Sequence, residues 1–182
     1  SLDYIIGNSY GDHLVPSIVG LNNGHSIYKA RFEDCYTGIE DCVDLSNVIL
    51  KNYNEISKSF EVNYLFISLS TKNISSKKIN ILLKALPKNV KVIYIYPHPI
   101  ADVFSNIDKL NTYEFKKKEN FAKFNVLKNE FNFFVFDPYI FLCPDKDCKL
   151  IDYNNFFTDG SHFKLNTSKY LSPYLKNFLN KN

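Results

Sequence analysis

The chain has 182 residues, of which 45% are hydrophobic, 16% aromatic and 23% charged, with a formal net charge of +3. That length and composition fit one globular domain with a sizeable core and argue against a disordered chain. The small, scattered positive charge argues against nucleic-acid binding, and the run Lys116, Lys117, Lys118 reads as a solvated helix face.

No stretch of eighteen apolar residues occurs, so no membrane-spanning helix is expected. The sequence begins with Ser and contains no Met, so the expectation is a single domain over residues 1–182, excised from a longer protein.

In chain order, Tyr4 to Ile6 predicts a short buried strand, followed by a polar turn. His13 to Leu21 predicts a helix with Pro16 in its first turn. Ser26 to Ala30 reads as a strand, and Glu33 to Asp44 as a polar loop. Ser46 to Lys58 has Val48, Ile49, Tyr53 and Ile56 near helical spacing. Tyr64 to Leu69 is an apolar run of strand length. Ser75 to Leu86 predicts an amphipathic helix with Ile79, Leu82, Leu83 and Leu86 on one stripe. Val90 to Tyr96 is a β-branched strand, Ile107 to Phe131 is mostly helical and charged, Phe133 to Phe136 is a last strand, and Leu165 to Leu179 a last helix. Short apolar strands alternating with helices predict an α/β fold, a three-layer α/β/α sandwich with a mainly parallel sheet. In such sheets, sites form at the C-terminal strand ends. The turns GNSYGD, SLSTKN and PHP should therefore open on one edge.

Two short segments carry the chemistry. Gly7-Asn8-Ser9 ends the first strand and puts a hydroxyl at a helix N-terminus, where backbone N–H groups can serve a developing oxyanion or Ser9 can be an ordinary N-cap. Near the other end, Asp159 and His162 stand three residues apart in a loop before the last helix. A serine that attacks an acyl carbon needs a base, and the base needs an acceptor that fixes its tautomer. Ser9, His162 and Asp159 can supply that set. The nearer Asp12 and His13 read mainly as local structure, with His13 pointing away from the base position. His98, between two prolines, reads as structural, and His25, after Asn-Asn-Gly, as solvated.

Four cysteines fall in two local pairs, Cys35 with Cys42 and Cys143 with Cys148. Disulfides are the expectation, in keeping with an oxidising compartment; a zinc site and ordinary core thiols are the rivals.

The Ser turn after the first strand and the late D-x-x-H block resemble the SGNH (GDSL-like) hydrolase superfamily. More narrowly, the chain is similar to the SGNH domains fused to acyltransferase-3-type membrane proteins. The segments carrying this are Gly7-Asn8-Ser9-Tyr10, Pro97-His98-Pro99, the loop Cys143-Pro-Asp-Lys-Asp-Cys148 and the block Phe156 to Phe163. The resemblance implies Ser9 as nucleophile, His162 as general base, Asp159 as its orienting carboxylate and the Ser9 N–H as an oxyanion donor. Tyr10, Gly38, Ser70 and Asn73 are the further oxyanion or substrate candidates. The chain departs from the family at Asn8, where Asp is usual, at Tyr10, where the fused domains carry His, and in the block that elsewhere reads G-x-N.

The implied function is serine-dependent O-acyl transfer, commonly of acetyl, to a cell-surface glycan outside the cytoplasm. The partners would be the glycan acceptor, an acyl donor and a membrane acyltransferase domain of the same longer chain, with no cofactor, no metal and no nucleic acid. A carbohydrate esterase of the same fold, or a non-catalytic glycan-binding or docking domain, is the alternative. A nucleotide-binding fold finds no support, since neither a G-x-G-x-x-G nor a P-loop is present.

Overall fold

The computed structural model describes residues 1–7, 9–21, 23–31, 45–69, 76–144, 155–159 and 161–182. Five strands, β1 (Leu2–Gly7), β2 (Ser26–Arg31), β3 (Val62–Ser68), β4 (Lys91–Ile95) and β5 (Phe133–Phe136), form one sheet in the order β2-β1-β3-β4-β5. Every pairing is parallel. The helices are α1 (Ser9–Val19), α2 (Leu45–Ile56), α3 (Ser76–Ala85), α4 (Ala101–Phe104), α5 (Ile107–Glu130), α6 (Tyr139–Leu142) and α7 (Leu165–Lys181). Among the described residues no helix is long and apolar enough to cross a membrane.

The two-residue period of a strand sorts the core onto two faces. Tyr4, Ile6, Leu65, Ile67, Val92 and Tyr94 pack against Ile49 and Tyr53 of α2, Ile79, Leu82 and Leu83 of α3, and Phe124 and Leu127 of α5. Ile5, Phe66, Ile93 and Ile95 pack against Leu14 and Ile18 of α1 and Leu175 and Leu179 of α7. β1 is buried along its whole length because both faces are covered, which explains the apolar run from Tyr4 to Ile6. Each such side chain contributes roughly 1.5–3 kcal/mol of burial. The strand β2 lies on an edge, and there Tyr28 stays 48% exposed.

The predicted helix after β1 starts four residues earlier than expected, at Ser9, so Pro16 lies in its interior and not in its first turn. Pro16 has no N–H to return to the preceding turn. The next N–H, from Ser17, is donated out of the helix to Ser168 Oγ at 3.1 Å. Ser17 Oγ donates to the Ser168 carbonyl at 2.5 Å, and Ser172 Oγ donates to the Ser17 carbonyl at 3.0 Å. Gly20 completes this seam: a Cβ there would lie 2.9 Å from Ser172 Cβ. Small residues let α1 and α7 pack closely, and the buried hydroxyls satisfy each other.

Two further expectations are corrected. Lys117 is not solvated: it pairs with buried Asp137 at 2.6 Å and lies 5.1 Å from the Tyr139 ring centre, while Lys116 and Lys118 are exposed. His25 is not solvated either. Its Nδ1 donates to Asp3 Oδ1 at 2.8 Å, and its Nε2 accepts from Asn63 Nδ2 at 3.3 Å. Asp3 is fully buried and cannot be left without donors, so it draws in both His25 and Asn23. The short helices α4 and α6 were not foreseen, being too brief to show a period. The predicted loop 33–44 lies outside the described residues.

Replacing Ser168 by Ala leaves the Ser17 N–H buried without its acceptor. Urea unfolding of this variant should show a loss of about 1–3 kcal/mol.

Candidate functional site

The strand order places a topological switch point between β1 and β3: the chain leaves β1 for β2 on one side and returns to β3 on the other. Crevices form outside the carboxyl ends of strands at such points. Ser9 sits there, as the first residue of α1. Gly7 makes the turn possible, since a Cβ on it would run into the Ser68 carbonyl oxygen and approach Gly11 Cα to 2.8 Å. Ser9 is 8% exposed, and its N–H lies at the positive end of the α1 dipole.

The Asp159–His162 loop comes to this point from 150 residues further on. Phe157 and Phe163 form an antiparallel bridge, Thr158 N–H donates to the His162 carbonyl at 2.7 Å, and Lys164 N–H donates to Phe156 at 2.9 Å. The tight loop is held down by both Phe side chains, which are buried in a cluster with Phe104, Tyr139 and Leu171. At its tip Asp159 Oδ1 accepts from Ser161 N–H (3.0 Å), Ser161 Oγ (2.9 Å) and His162 N–H (3.0 Å). Asp159 Oδ2 stands 2.6 Å from His162 Nδ1, and His162 Nε2 stands 2.8 Å from Ser9 Oγ.

These contacts assign the tautomer. Nδ1–H donates to the carboxylate, so Nε2 presents its lone pair to the Ser9 hydroxyl. The bond to His162, then those from Ser161 and the loop N–H groups, hold the Asp159 carboxyl well below the usual carboxylate range, although it is largely exposed. Asp159 is therefore ionised at any physiological pH. The three residues singled out from two distant segments are thus brought into one hydrogen-bonded line.

The rings of Tyr10, His98 and His13 lie around that line. Tyr10 lies 5.8 Å from His162 and 5.3 Å from His98, between ring centres, so this substrate candidate is at the site. His98 is 4% exposed and packs against Phe157 (4.4 Å) and Phe163 (4.7 Å), with Nδ1 donating to the Pro99 carbonyl at 3.0 Å. It supports the loop from beneath, as a structural histidine should. His13 corrects the sequence reading. It does not point away: its ring is stacked on that of His162 at 4.7 Å, and Nδ1 donates to the Phe163 carbonyl at 3.0 Å. The spacing held the signal, since four residues after Ser9 is the same helix face once the helix begins at Ser9. Asp12, on the adjoining face, pairs with Lys29 of β2. Ser161, which donates to Asp159, was also missed, as nothing local in the sequence marks it.

The other candidates, Gly38, Ser70 and Asn73, lie outside the described residues. Cys143 is buried and disulfide-bonded; Cys148, its expected partner, and Cys35 and Cys42 lie outside the described residues. The turns after β1 and β4 open on the same edge, as expected for parallel strands, whereas most of SLSTKN is not described. Among the described residues no group of three His, Cys, Asp or Glu could hold a metal ion.

Burial pushes His98 down from 6.5 to about 4, against the pull of the Pro99 carbonyl. The unfolded chain therefore takes up this proton near pH 6.5 while the native protein takes it up near pH 4. Across that window the unfolded state binds more protons, so stability falls as pH drops, by about 3 kcal/mol for this group. Urea unfolding between pH 7 and about 4 should show the fall. His98→Phe should flatten it, leaving the smaller share of His13, which burial and then the neighbouring His162 also push down.

No protein-family model matches the chain, and no curated protein matches it. Among solved structures it is similar to a member of the lipolytic protein G-D-S-L family from Veillonella parvula DSM 2008, at 13% identity and a TM-score of 0.59, covering 100% of both chains. An identity this low speaks for the fold alone. Over its whole length the chain has the α/β fold of that G-D-S-L-family protein, a parallel sheet layered between helices.

Proposed function

We propose that the chain is a serine-dependent acyl-ester enzyme. The observation that carries this reading is the line from Asp159 Oδ2 through His162 to Ser9 Oγ, with contacts of 2.6 and 2.8 Å. Ser9 Oγ attacks the carbonyl carbon of an ester as its proton passes to His162 Nε2. The negative charge on the carbonyl oxygen is met by N–H groups at the start of α1, the Ser9 N–H among them. Asp159 stabilises the imidazolium and keeps the ring in register. The intermediate collapses, the alcohol leaves with the proton from His162, and an acyl-Ser remains. A second hydroxyl then gives its proton to His162 and attacks the acyl carbon, and as the acyl–Ser9 bond breaks His162 returns that proton to Ser9 Oγ.

Whether that second hydroxyl belongs to water or to a sugar separates esterase from transferase. We favour transfer, which the resemblance to fused acyltransferase domains implies. The acceptor would be a cell-surface glycan, the acyl group acetyl, and the donor a membrane acyltransferase domain of the same longer chain, all outside the cytoplasm. A Cys143–Cys148 disulfide, paired with Cys35–Cys42, would suit that compartment. Tyr10, whose ring lies beside that of His162, offers a face for sugar stacking.

A fluorophosphonate probe should label Ser9, and p-nitrophenyl acetate should be turned over. Ser9→Ala should abolish both; turnover unchanged in that variant would sink the proposal. Asp159→Asn should lower kcat by on the order of 10²–10⁴, because the wrong His162 tautomer becomes available. Adding candidate glycans to the acyl-enzyme and following acylated sugar by mass spectrometry separates transfer from hydrolysis.

A further inference from the structure

The proton transfers proposed above use Ser9, His162 and Asp159 and leave His13 without a task. Its geometry is nonetheless specific. It leaves α1 on the same face as Ser9, one turn on. Its ring lies 4.7 Å from the His162 ring with the planes inclined by 29°. Its Nδ1 donates to the carbonyl of Phe163, the residue directly after His162.

We propose that His13 is a positioning residue: its ring, tied to the Phe163 carbonyl, lies over one face of His162 and holds that imidazole in the plane that serves Ser9 and Asp159 together. The inference rests on the acyl-ester reading of Ser9. The physical need is plain. The contacts at Nδ1 and Nε2 both lie near one line through the His162 ring, so the ring can tilt about that line while both distances survive. Asp159 is 54% exposed and so offers little steric resistance to such a tilt. A ring stacked against the face removes that freedom. The stacked partner is also suited to the charge that forms. Burial, and then the neighbouring His162, favour the neutral form of His13, and a neutral ring accepts an imidazolium against its face where a charged one would repel it.

Two substitutions separate the ring from its hydrogen bond. His13→Phe keeps a ring over His162 but cannot donate to Phe163. His13→Gln can donate but has no ring. The measurements are the rate of Ser9 labelling by a fluorophosphonate, kcat and KM for p-nitrophenyl acetate, and the low-field proton resonance of His162 Nδ1–H. The phenylalanine variant should keep kcat within about threefold, and the glutamine variant should lose roughly ten- to a hundredfold in kcat with KM little changed. The Nδ1 proton should stay visible in the first and be lost to exchange in the second. Equal kcat and equal resonances in the two variants would overturn the proposal, as would equal losses that track a fall in thermal midpoint. The resonance needs no substrate. If the wild-type protein fails to label at Ser9, the enzyme reading falls, and the resonance alone still decides whether His13 holds His162.

Discussion

The seam between α1 and α7 is the contact on which the rest of the structure depends. Ser9 begins α1, and His162 lies just ahead of α7, so the spacing of these helices sets the spacing of the two side chains. Ser17, Ser168 and Ser172 are all buried there, and each hydroxyl has a partner across the seam. A larger residue at Gly20 or any of the serines would push the helices apart. Leu14 and Ile18 of α1 and Leu175 and Leu179 of α7 then lock both helices onto the same sheet face. Hydrogen bonds fix the register of this contact, and apolar burial supplies most of its free energy.

Around the site, polarity and burial are divided between layers. The lower layer is aromatic: His98 between Phe157 and Phe163 anchors a loop that would otherwise be all backbone and polar side chains. The upper layer is exposed and hydrogen-bonded, with Asp159 gathering four donors at the loop tip. The carboxylate thus keeps its charge in water while the Ser9 hydroxyl stays nearly enclosed. A steady carboxylate outside and a sheltered hydroxyl inside suit a histidine that must hold charge briefly.

Much of the sheet was legible because its strands are covered on both faces and so read as apolar runs, as Tyr4 to Ile6 and Tyr64 to Leu69 do. The helices α2 and α3 announced themselves by period. Errors came where a local rule met a tertiary one. Pro16 suggested a helix start, but the chain starts the helix at Ser9 and uses the lost ladder bond to reach Ser168. Lys117 and His25 looked solvated because their carboxylate partners, Asp137 and Asp3, are remote in sequence. His13 was misplaced for the same reason as Pro16: the wrong helix start turned its face away.

By itself, then, the sequence determined the α/β layering and the two short segments that carry Ser9, Asp159 and His162, since strand and helix periods and a D-x-x-H turn are local properties. Only the tertiary structure decided that these segments meet, that His13 stacks on His162, and that Ser161 serves Asp159. Those facts depend on how closely α1 and α7 approach, and that distance is set by small side chains more than 140 residues apart.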